Sequence, residues 1–590
     1  MPKKINRKEY ESWSKEELIK EIVRIKSTTY GLVWHRDLPE EKIDILVNPD
    51  AHTPNEMFPN EMAGKPFPVL KEVKGKAIES DKSKLVNFLI EGDNYHSLAV
   101  LNFTHREAVD LIYIDPPYNT GNNDFIYNDK FVDLEDDFRH SKWLSFLEKR
   151  LKLAKNLLKR NGAIFISISD NEQAPLKMLC DEIFGEKNFV TMITVQVNKG
   201  GRDYLPIAVT HEYLLCYFKS EESVLNELMK KVDFDLQDSR GGYELRELRN
   251  RNPKFTKANR PNLYYPIYVN FKSVDKKGQC LVSLNKSKEF NIEVYPLNSK
   301  GDDSCWRWGQ ALTKKNIALN TNISNVVGRQ RRDGGWNIYE KSRKASTKAK
   351  SIWDETEVRT EQGTIDLREI GMARTFDHPK PVYLIKKIIQ LATQKDSIIL
   401  DFFAGSGTTG QAVLQQNEED GGTRVFILCT NNGDEKSEHK IASEICYPRL
   451  KKIITGYKNS KEEKVEGLGG NLKYFTTDFV KAEPTDKNKR KLVKESTEML
   501  CILENAFELI QETEEFKIFK NTDKYIGIIF YEEAIDDYKK EIKKIDGHFN
   551  TYVFSMGDDP HAKKFVDVKD KITLCAIPEV ILKVYREIFK

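Results

Sequence analysis

Residues 111–121 read LIYIDPPYNTG: an apolar run stops on Asp115, and two prolines and Tyr118 follow. Asp115 and Pro116 each precede a proline, which pushes both toward extended backbone. Pro116 and Pro117 also remove two backbone N–H donors. What remains exposed is a rigid pair of acceptors, the Asp115 carboxylate and the Pro116 carbonyl, beside an aromatic ring. An exocyclic amino group has two N–H donors to offer such a pair. Held by both, its nitrogen lone pair points outward toward an electrophile such as a methyl donor, and Tyr118 can stack on the face of the base. No strong general base is needed first, because the amine attacks and loses its proton afterwards. A base inside a duplex cannot reach this position and must be extruded, at a cost of roughly a few kcal/mol. Taken alone, the four residues also suit a stiff turn at a strand end.

A second segment sharpens the first. Residues 397–410 read SIILDFFAGSGTTG, a β-rich run to Asp401 and then Gly405-x-Gly407-x-x-Gly410. Glycines here permit positive φ and let backbone approach a ligand at the head of a helix starting near Thr408. Strand, glycine turn and helix form the βα unit of a doubly wound sheet. In a dinucleotide site an acidic residue follows about 20 positions on, but the next strand ends FILCTNNGDE, with Thr430, Asn431 and Asn432 there. The phosphate-free cofactor S-adenosylmethionine fits FFAGSGTT better, with Asp401 facing its methionine ammonium. In an open parallel sheet, ligands bind beyond the carboxyl ends of the strands. Asp115 and the 401–410 loop therefore belong side by side.

The elements that must place them follow from alternating patterns. LVNFLIEGDN (85–94) reads strand and turn, HSLAVLNFTH (96–105) helix, and AVDLIYIDPPY strand. WLSFLEKRLKLAKNLLKRNG (143–162) predicts an amphipathic helix stopped by Gly162. AIFISISD (163–170) and HEYLLCYFK (211–219) are strands, and PVYLIKKIIQLAT (381–393) is a helix. Strands alternating with helices mean a parallel sheet with crossovers. The rhythm lapses between about 221 and 370, where Gly, Asn, Arg and aromatics accumulate. Residues 458–470 read as a surface loop, 8–30 as a helix and 51–68 as a loop. After about 480 a smaller α/β module offers the strands YIGIIFY and TYVFSM.

Composition narrows the function class. A chain of 590 residues is too long for one core. Its net charge is only +3, so attraction to nucleic acid must come from local patches. Such patches exist at RELRNRNPKFTKANR (246–260) and RQRRDGGWNIYEKSRKASTKAK (329–350), where Lys and Arg lie among aromatics suited to phosphates, guanine edges and displaced bases. A solvated charged face is the alternative for any single residue, and Trp306, Trp308 and Trp336 suit a core equally well. Eight scattered cysteines without a CxxC pair argue against zinc or a disulfide framework and for reduced thiols. The histidines form no HxxxH or HxH pair, so no metal is expected. No run approaches roughly 18 apolar residues, so no membrane span is expected. The N-terminus lacks the apolar region of a secretory signal.

With DPPYNTGNNDFIYNDKF (115–131) preceding DFFAGSGTT (401–409), the chain resembles the DNA amino-methyltransferases whose catalytic motif comes before the cofactor loop. FDHPKPVYLIKKII (376–389), LIEGDNYHSL (89–98) and GAIFISISDNE (162–172) carry the same resemblance. RPNLYYPIYVN (260–270), FILCTNNGDE and YFTTDFV (474–480) narrow it to modification subunits of type III restriction–modification systems. It covers roughly 85–480 and is softer outside.

The resemblance implies an α/β, Rossmann-like S-adenosylmethionine-dependent methyltransferase fold. Its sheet would be mostly parallel and seven-stranded, with circularly permuted motif order. The implied organisation is an N-terminal helical and loop region (1–84), a catalytic half (85–220), a target recognition domain (221–370), a cofactor half (371–480) and a small C-terminal α/β domain (481–590) for dimerisation or partner contact. Asp115, Pro116, Pro117 and Tyr118 would hold the amine. Phe403, Ala404, Gly405, Gly407 and Thr408 would shape the cofactor pocket, with Asp401 at the methionine ammonium, Asp93 near the adenine and Lys380 on the carboxylate side. DPPY in this order implies N6 of a flipped adenine in double-stranded DNA. A homodimer, a separate helicase–nuclease restriction subunit and a cytoplasmic, nucleoid-associated prokaryotic location are likewise implied. N4-cytosine methylation, a solitary adenine methyltransferase, a non-catalytic recognition subunit and a nicotinamide dehydrogenase are the rival readings. The absence of GxxxxGK[ST] argues against a helicase here. His211 heads a strand near the site in a hydrogen-bonding role, and Ser169, Asp170 and Asn171 either reach the site or cap the next helix.

Overall fold

The computed structural model describes residues 13–16, 18–19 and 67–577, apart from 82, 122–125, 128–129, 132–137, 202–205, 230–233, 299, 434–438, 481–485, 523 and 555–560. Most of the expected 8–30 helix and nearly all of the 51–68 loop lie outside the described residues. The chain forms two compact units, Met1–Asn226 with Lys350–Lys590, and Glu227–Ala349.

The first unit is built on an eleven-stranded sheet. Ten strands form its continuous path: β1 Phe67–Glu72, β2 Val86–Glu91, β3 Val109–Ile114, β4 Leu158–Ile168, β5 Phe189–Gln196, β6 His211–Phe218, β7 Ile352–Trp353, β8 Ile398–Asp401, β9 Val425–Thr430 and β10 Asn471–Val480. Their spatial order is β1-β10-β2-β9-β8-β3-β4-β6-β5-β7, and Ile78–Glu79 adds a short strand beside β10. From β10 to β4 all neighbours are parallel. Strands in such a sheet are covered on both faces, so they read as unbroken apolar runs. VFILCT in β9 is buried at every position. The seven implied strands are β2-β9-β8-β3-β4-β6-β5, and the other four extend both edges. β10 shields β2 with Leu472, Tyr474 and Phe475 buried, which removes an open edge.

Two details fix the geometry of the site. β8 pairs with β3 in parallel register, Ile399 opposite Leu111 and Leu400 opposite Ile112. Asp110 locks that register: its Oδ2 accepts the Ile398 N–H at 2.8 Å while Lys159 holds both its oxygens at 2.8 and 2.9 Å. β6 is antiparallel to β4 and to β5. Its first residues therefore sit at the edge where the parallel strands end.

The helices that flank the site strands include α1 Asn94–Thr104, α2 Arg139–Leu157, α3 Gln173–Phe184, α4 Thr360–Glu369, α5 Val382–Ala392, α6 Thr408–Asp420 and α7 Tyr447–Thr455. α5 presents Val382, Ile385, Ile388 and Ile389 to the core, at the 3–4 residue spacing of one helix face. Two local expectations are corrected. α2 ends at Leu157, and Gly162 lies inside β4. Leu158 pairs with Val109 and Ala163 with Leu111, so residues 159–162 form a bulge that continues the strand instead of a helix stop. Residues 458–470 contain part of a hairpin, Gly456–Lys458 paired with Lys464–Glu466.

A five-stranded sheet follows in the same unit, with Tyr525–Ile529 and Phe549–Val553 parallel at its centre. Met499, Leu500, Ile526 and Tyr552 join the core of the large sheet. The second unit contains a four-stranded antiparallel sheet, Leu236–Asp238, Gly241–Glu247, Trp336–Ser342 and Val326–Gln330, and a three-stranded sheet centred on Ile267–Asn270. Trp306 is in its core, donating Nε1–H to the Tyr265 carbonyl at 2.7 Å, and Trp308 and Trp336 pack against that core. Among the described residues no helix is long and apolar enough to cross a membrane.

Gly363 in α4 places the segment that carries Lys380. A Cβ there would lie 1.9 Å from the Pro379 carbonyl oxygen and 3.0 Å from the Lys380 carbonyl carbon. Backbone cannot yield as a flexible side chain does. Gly363→Ala is expected to cost about 2 kcal/mol by overpacking; an unchanged midpoint in urea-induced unfolding would contradict this contact.

Candidate active site

Strand β3 delivers Asp115 to the carboxyl edge, and three features hold the residues after it. The Trp143 indole, fully buried in α2, donates to the Pro117 carbonyl at 2.7 Å. Asn119 takes left-handed backbone, φ 55°, which a short polar side chain tolerates. Its Nδ2 donates to Glu172 Oε1 at 2.5 Å, and His140 Nδ1 lies 2.6 Å from that same oxygen. Pro116 and Pro117 thus sit in a loop fastened from α2 on one side and the head of α3 on the other. Glu172 is fully buried; burial pushes its carboxyl above the usual range, while Asn119 and His140 oppose the shift.

Around Asp115 the side chains form one charged cluster. The Lys380 ammonium lies 3.3 Å from Asp115 Oδ1, 2.8 Å from Glu212 Oε2 and 2.5 Å from the Tyr118 hydroxyl oxygen. Its contact with Asp115 is charge to charge, off the line of a hydrogen bond. Tyr118 donates its own O–H to Glu212 at 2.9 Å. The ammonium also stands 4.8 Å from the Tyr118 ring centroid. Burial raises the Asp115 carboxyl, Lys380 pulls it down, Glu212 pushes it up, and the outcome is a raised value. Burial works against the charge on Lys380, but Asp115 and Glu212 overcome it and hold the ammonium protonated. Tyr118 is kept as the phenol by burial and by the two carboxylates.

The neighbouring strand β8 delivers the glycine loop. Gly405 and Gly407 take φ 49° and 82°, and a Cβ on Gly407 would lie 2.9 Å from Cys446 Sγ. The turn closes with Gly407 N–H on the Ala404 carbonyl at 2.8 Å and Ala404 N–H on Cys429 of β9 at 3.2 Å. Thr408 donates its hydroxyl to the Lys380 carbonyl at 3.2 Å, tying the loop to the residue that reaches Asp115. Phe403 is half-buried with its ring centroid 6.1 Å from that of Phe146. The glycines and the open head of α6, with no side-chain cap on Gly407, fit a cofactor whose backbone contacts need close approach.

The other residues around the two loops make the following contacts within the chain. Asp401 is turned into its own loop: Oδ1 accepts the Phe403 N–H at 3.0 Å and Oδ2 the Thr409 hydroxyl at 2.5 Å. Lys380 points its ammonium at Asp115 and Glu212. Asp93 caps α1, accepting the Tyr95 N–H at 2.6 Å, and both its oxygens lie 3.2 Å from Arg150 Nη2. Asn94 beside it donates to the Phe402 carbonyl at 3.0 Å, which brings the α1 head to the loop. Asn432 donates to Glu91 at 2.5 Å and accepts from Ser443, and Asn431 accepts the Gly433 N–H. His211 bonds Tyr213 at 2.9 Å, and the Ser169 carbonyl accepts the Gln173 N–H at the start of α3.

Two residues escape sequence reasoning. Glu212 is one; the direction of β6 is the signal that would have found it. Arg449 is the other, a fully buried guanidinium whose Nη1 donates to Ser406 Oγ at 2.9 Å and Thr408 Oγ1 at 2.8 Å, with Nε on Gln411 at 2.9 Å. Burial lowers it to about 10.

The chain is similar to known proteins over most of its length. The profile described as DNA methylase matches residues 109–540. The type III restriction-modification enzyme EcoPI Mod subunit of Escherichia phage P1 is 35% identical over 424 residues, 66% of this chain and 64% of that protein. The type II methyltransferase M.KpnI of Klebsiella pneumoniae is 35% identical over 390 residues, 64% of this chain and 89% of that protein. The type III restriction-modification enzyme StyLTI Mod subunit of Salmonella typhimurium is 31% identical over 441 residues, 69% and 63% of the two chains. The match thus spans just under two thirds of each Mod subunit.

Burial of Asp401 predicts a pH effect. Its carboxyl is raised from 3.8 to about 7 in the folded chain, chiefly by burial. Between those values the native state binds the proton that the unfolded state releases, so stability falls as pH rises from about 4 to about 7. The contribution is at most about 4 kcal/mol at 1.36 kcal/mol per unit. Asp401→Asn should flatten the difference between urea midpoints measured at pH 4.5 and 7.5. Equal slopes for variant and wild type would contradict the buried carboxyl.

Proposed function

The chain belongs to the DNA methylase family, and we propose that it is a site-specific methyltransferase acting on the N6 amino group of a flipped-out adenine in double-stranded DNA. The observation that carries the reading is the parallel pairing of β3 with β8, which sets the Asp115 acceptors beside the 401–408 loop. When bound, S-adenosylmethionine supplies an electrophilic methyl group; Phe403, Ala404, Gly405, Gly407 and Thr408 would hold it. The other steps belong to the chain itself. Asp115 and the Pro116 carbonyl accept the two N–H groups and turn the lone pair toward the loop. Tyr118 stacks on the base, kept neutral and fixed by its bond to Glu212. Once nitrogen carries the methyl group it must lose a proton, and the Asp115 carboxyl is the acceptor at hand, its basicity raised by burial. The backbone of the loop needs little reorganisation, because Pro116 and Pro117 are fastened through Trp143 and Asn119 before the base arrives.

We place target recognition in residues 221–370, of which 227–349 form a separate unit. Exposed Arg329, Arg331 and Arg332 around the Val326–Gln330 and Trp336–Ser342 pair, with exposed Arg246, Lys254 and Arg260, support contact with phosphates and base edges. The two relatives named Mod subunits support a role as the modification subunit of a type III restriction–modification system, with a separate restriction subunit as partner. A homodimer belongs to the same reading.

Methylation-aware sequencing of DNA from cells carrying wild type or Asp115→Ala tests it. Wild type should mark adenine in one defined motif, and the variant should lose the mark by at least about a hundredfold. Marks on cytosine would overturn the choice of adenine, and unmarked DNA with wild type would overturn the enzyme.

A further inference from the structure

Among the described residues, the cluster at Asp115 sets the Lys380 ammonium between two carboxylates. The Lys380 ammonium rests among Asp115, Tyr118 and Glu212, occupying the kind of place that a target amine needs at Asp115. A base arriving there must displace that ammonium from Asp115. Paired with Asp115 alone, Lys380 would form a one-to-one, half-buried ion pair, and breaking it would leave the ammonium without a counter-charge. Glu212 changes this balance. Its Oε2 already lies 2.8 Å from the ammonium and accepts the Tyr118 hydroxyl at 2.9 Å. It sits on the antiparallel strand β6, independent of the loop that carries Asp115 and of the segment that carries Lys380.

We infer that Glu212 is a positioning residue of the amine site: it keeps the Lys380 ammonium paired while the incoming amine takes its place at Asp115, and it fixes the Tyr118 ring for stacking. The inference rests on the reading of the site given under Proposed function. Displacement of Lys380 toward Glu212 keeps the ammonium paired and frees the Asp115 carboxylate for one N–H of the amine, beside the Pro116 carbonyl that takes the other. Removing Glu212 leaves Lys380 held on Asp115 and leaves the Tyr118 hydroxyl without its acceptor. Substituting glutamine keeps an acceptor for Tyr118 but removes the counter-charge for Lys380, so the two variants separate the two roles.

The test compares Glu212→Ala, Glu212→Gln and wild type on duplex DNA carrying the motif that sequencing defines. Steady-state kcat and KM for DNA are measured together with S-adenosylmethionine affinity by calorimetry and the thermal midpoint. Expected are a loss of about a hundredfold in kcat/KM for the alanine variant and about tenfold for glutamine, with cofactor affinity and thermal midpoint close to wild type. Replacing the target adenine by 2-aminopurine should show weaker fluorescence enhancement in the alanine variant, because the ring that receives the base is no longer fixed. An alanine variant within threefold of wild type overturns the inference. A loss matched by an equal loss of cofactor affinity, or by a collapsed thermal midpoint, also overturns it, since Glu212 would then support the fold alone. A wild type that marks no adenine sinks the reading of the site and this inference with it; an active wild type beside an unimpaired variant sinks the inference only.

Discussion

The hydrogen-bonded pairing of β3 with β8 is the constraint on which the site depends. The two strands are separated by nearly three hundred residues of chain, yet Leu111 and Ile399 are neighbours in the sheet. Parallel strands end at the same edge, so both of their following loops open there. Asp110 makes the register specific by accepting the first N–H of β8 with a carboxylate that Lys159 holds in place. A slip would move every side chain of β8 to the opposite face, carrying Asp401 away from Thr409 and the glycine turn away from Asp115. The site is therefore a property of one pair of strands, and the helices on each face serve to keep that pair buried.

Buried charge does the finer positioning. The loop after β8 is held by Asp401, which binds Phe403 and Thr409, and by Arg449, which binds Ser406, Thr408 and Gln411. Burying either group without hydrogen bonds would cost several kcal/mol, so each surrounds itself with donors or acceptors from the loop. The consequence is a turn whose shape is fixed before any ligand arrives. At the next loop the logic is different. Asp115, Glu212 and Tyr118 converge on the Lys380 ammonium, so the Asp115 carboxylate is engaged by a side chain from another segment. One loop is closed by its charges; the other is held from outside.

Much of this was legible in the sequence because its signals are local. DPPY carries its rigidity in four consecutive residues, and the glycine spacing announces a turn followed by a helix. The apolar runs of β3, β8 and β9 mark strands buried on both faces, and their carboxyl ends named Asp115 and Asp401 as neighbours. Residues whose meaning depends on direction or distance were not legible. Glu212 reads as an ordinary polar start to a strand until β6 is known to run antiparallel. Arg449 is hidden in a helix whose sequence says nothing of the loop beneath it. Asp401 reads as a strand-end carboxylate, but nothing local announces its bonds to Phe403 and to Thr409, the second residue of α6. Gly162 reads as a helix stop because nothing local reveals that β3 needs a bulged partner.

The order of the two motifs along the chain carries no chemical weight, and the structure shows why the interruption between them is tolerated. The chain leaves the first unit at Asn226, whose N–H donates to the Leu391 carbonyl at 2.7 Å and whose amide reaches the Gln390 and Thr393 carbonyls at 3.1 and 2.9 Å. These are the free carbonyls at the end of α5, groups that a helix terminus must satisfy somehow. The chain returns through Ser351, whose carbonyl accepts the Thr194 N–H at 2.9 Å, and β7 then pairs with β5 at the sheet edge. Both ends of the excursion are thus hydrogen-bonded into the body that holds the site. An insert anchored in this way can vary in size and sequence without altering the register of β3 against β8. What the chemistry requires is that two strands end together, and the sheet enforces that whichever strand the chain makes first.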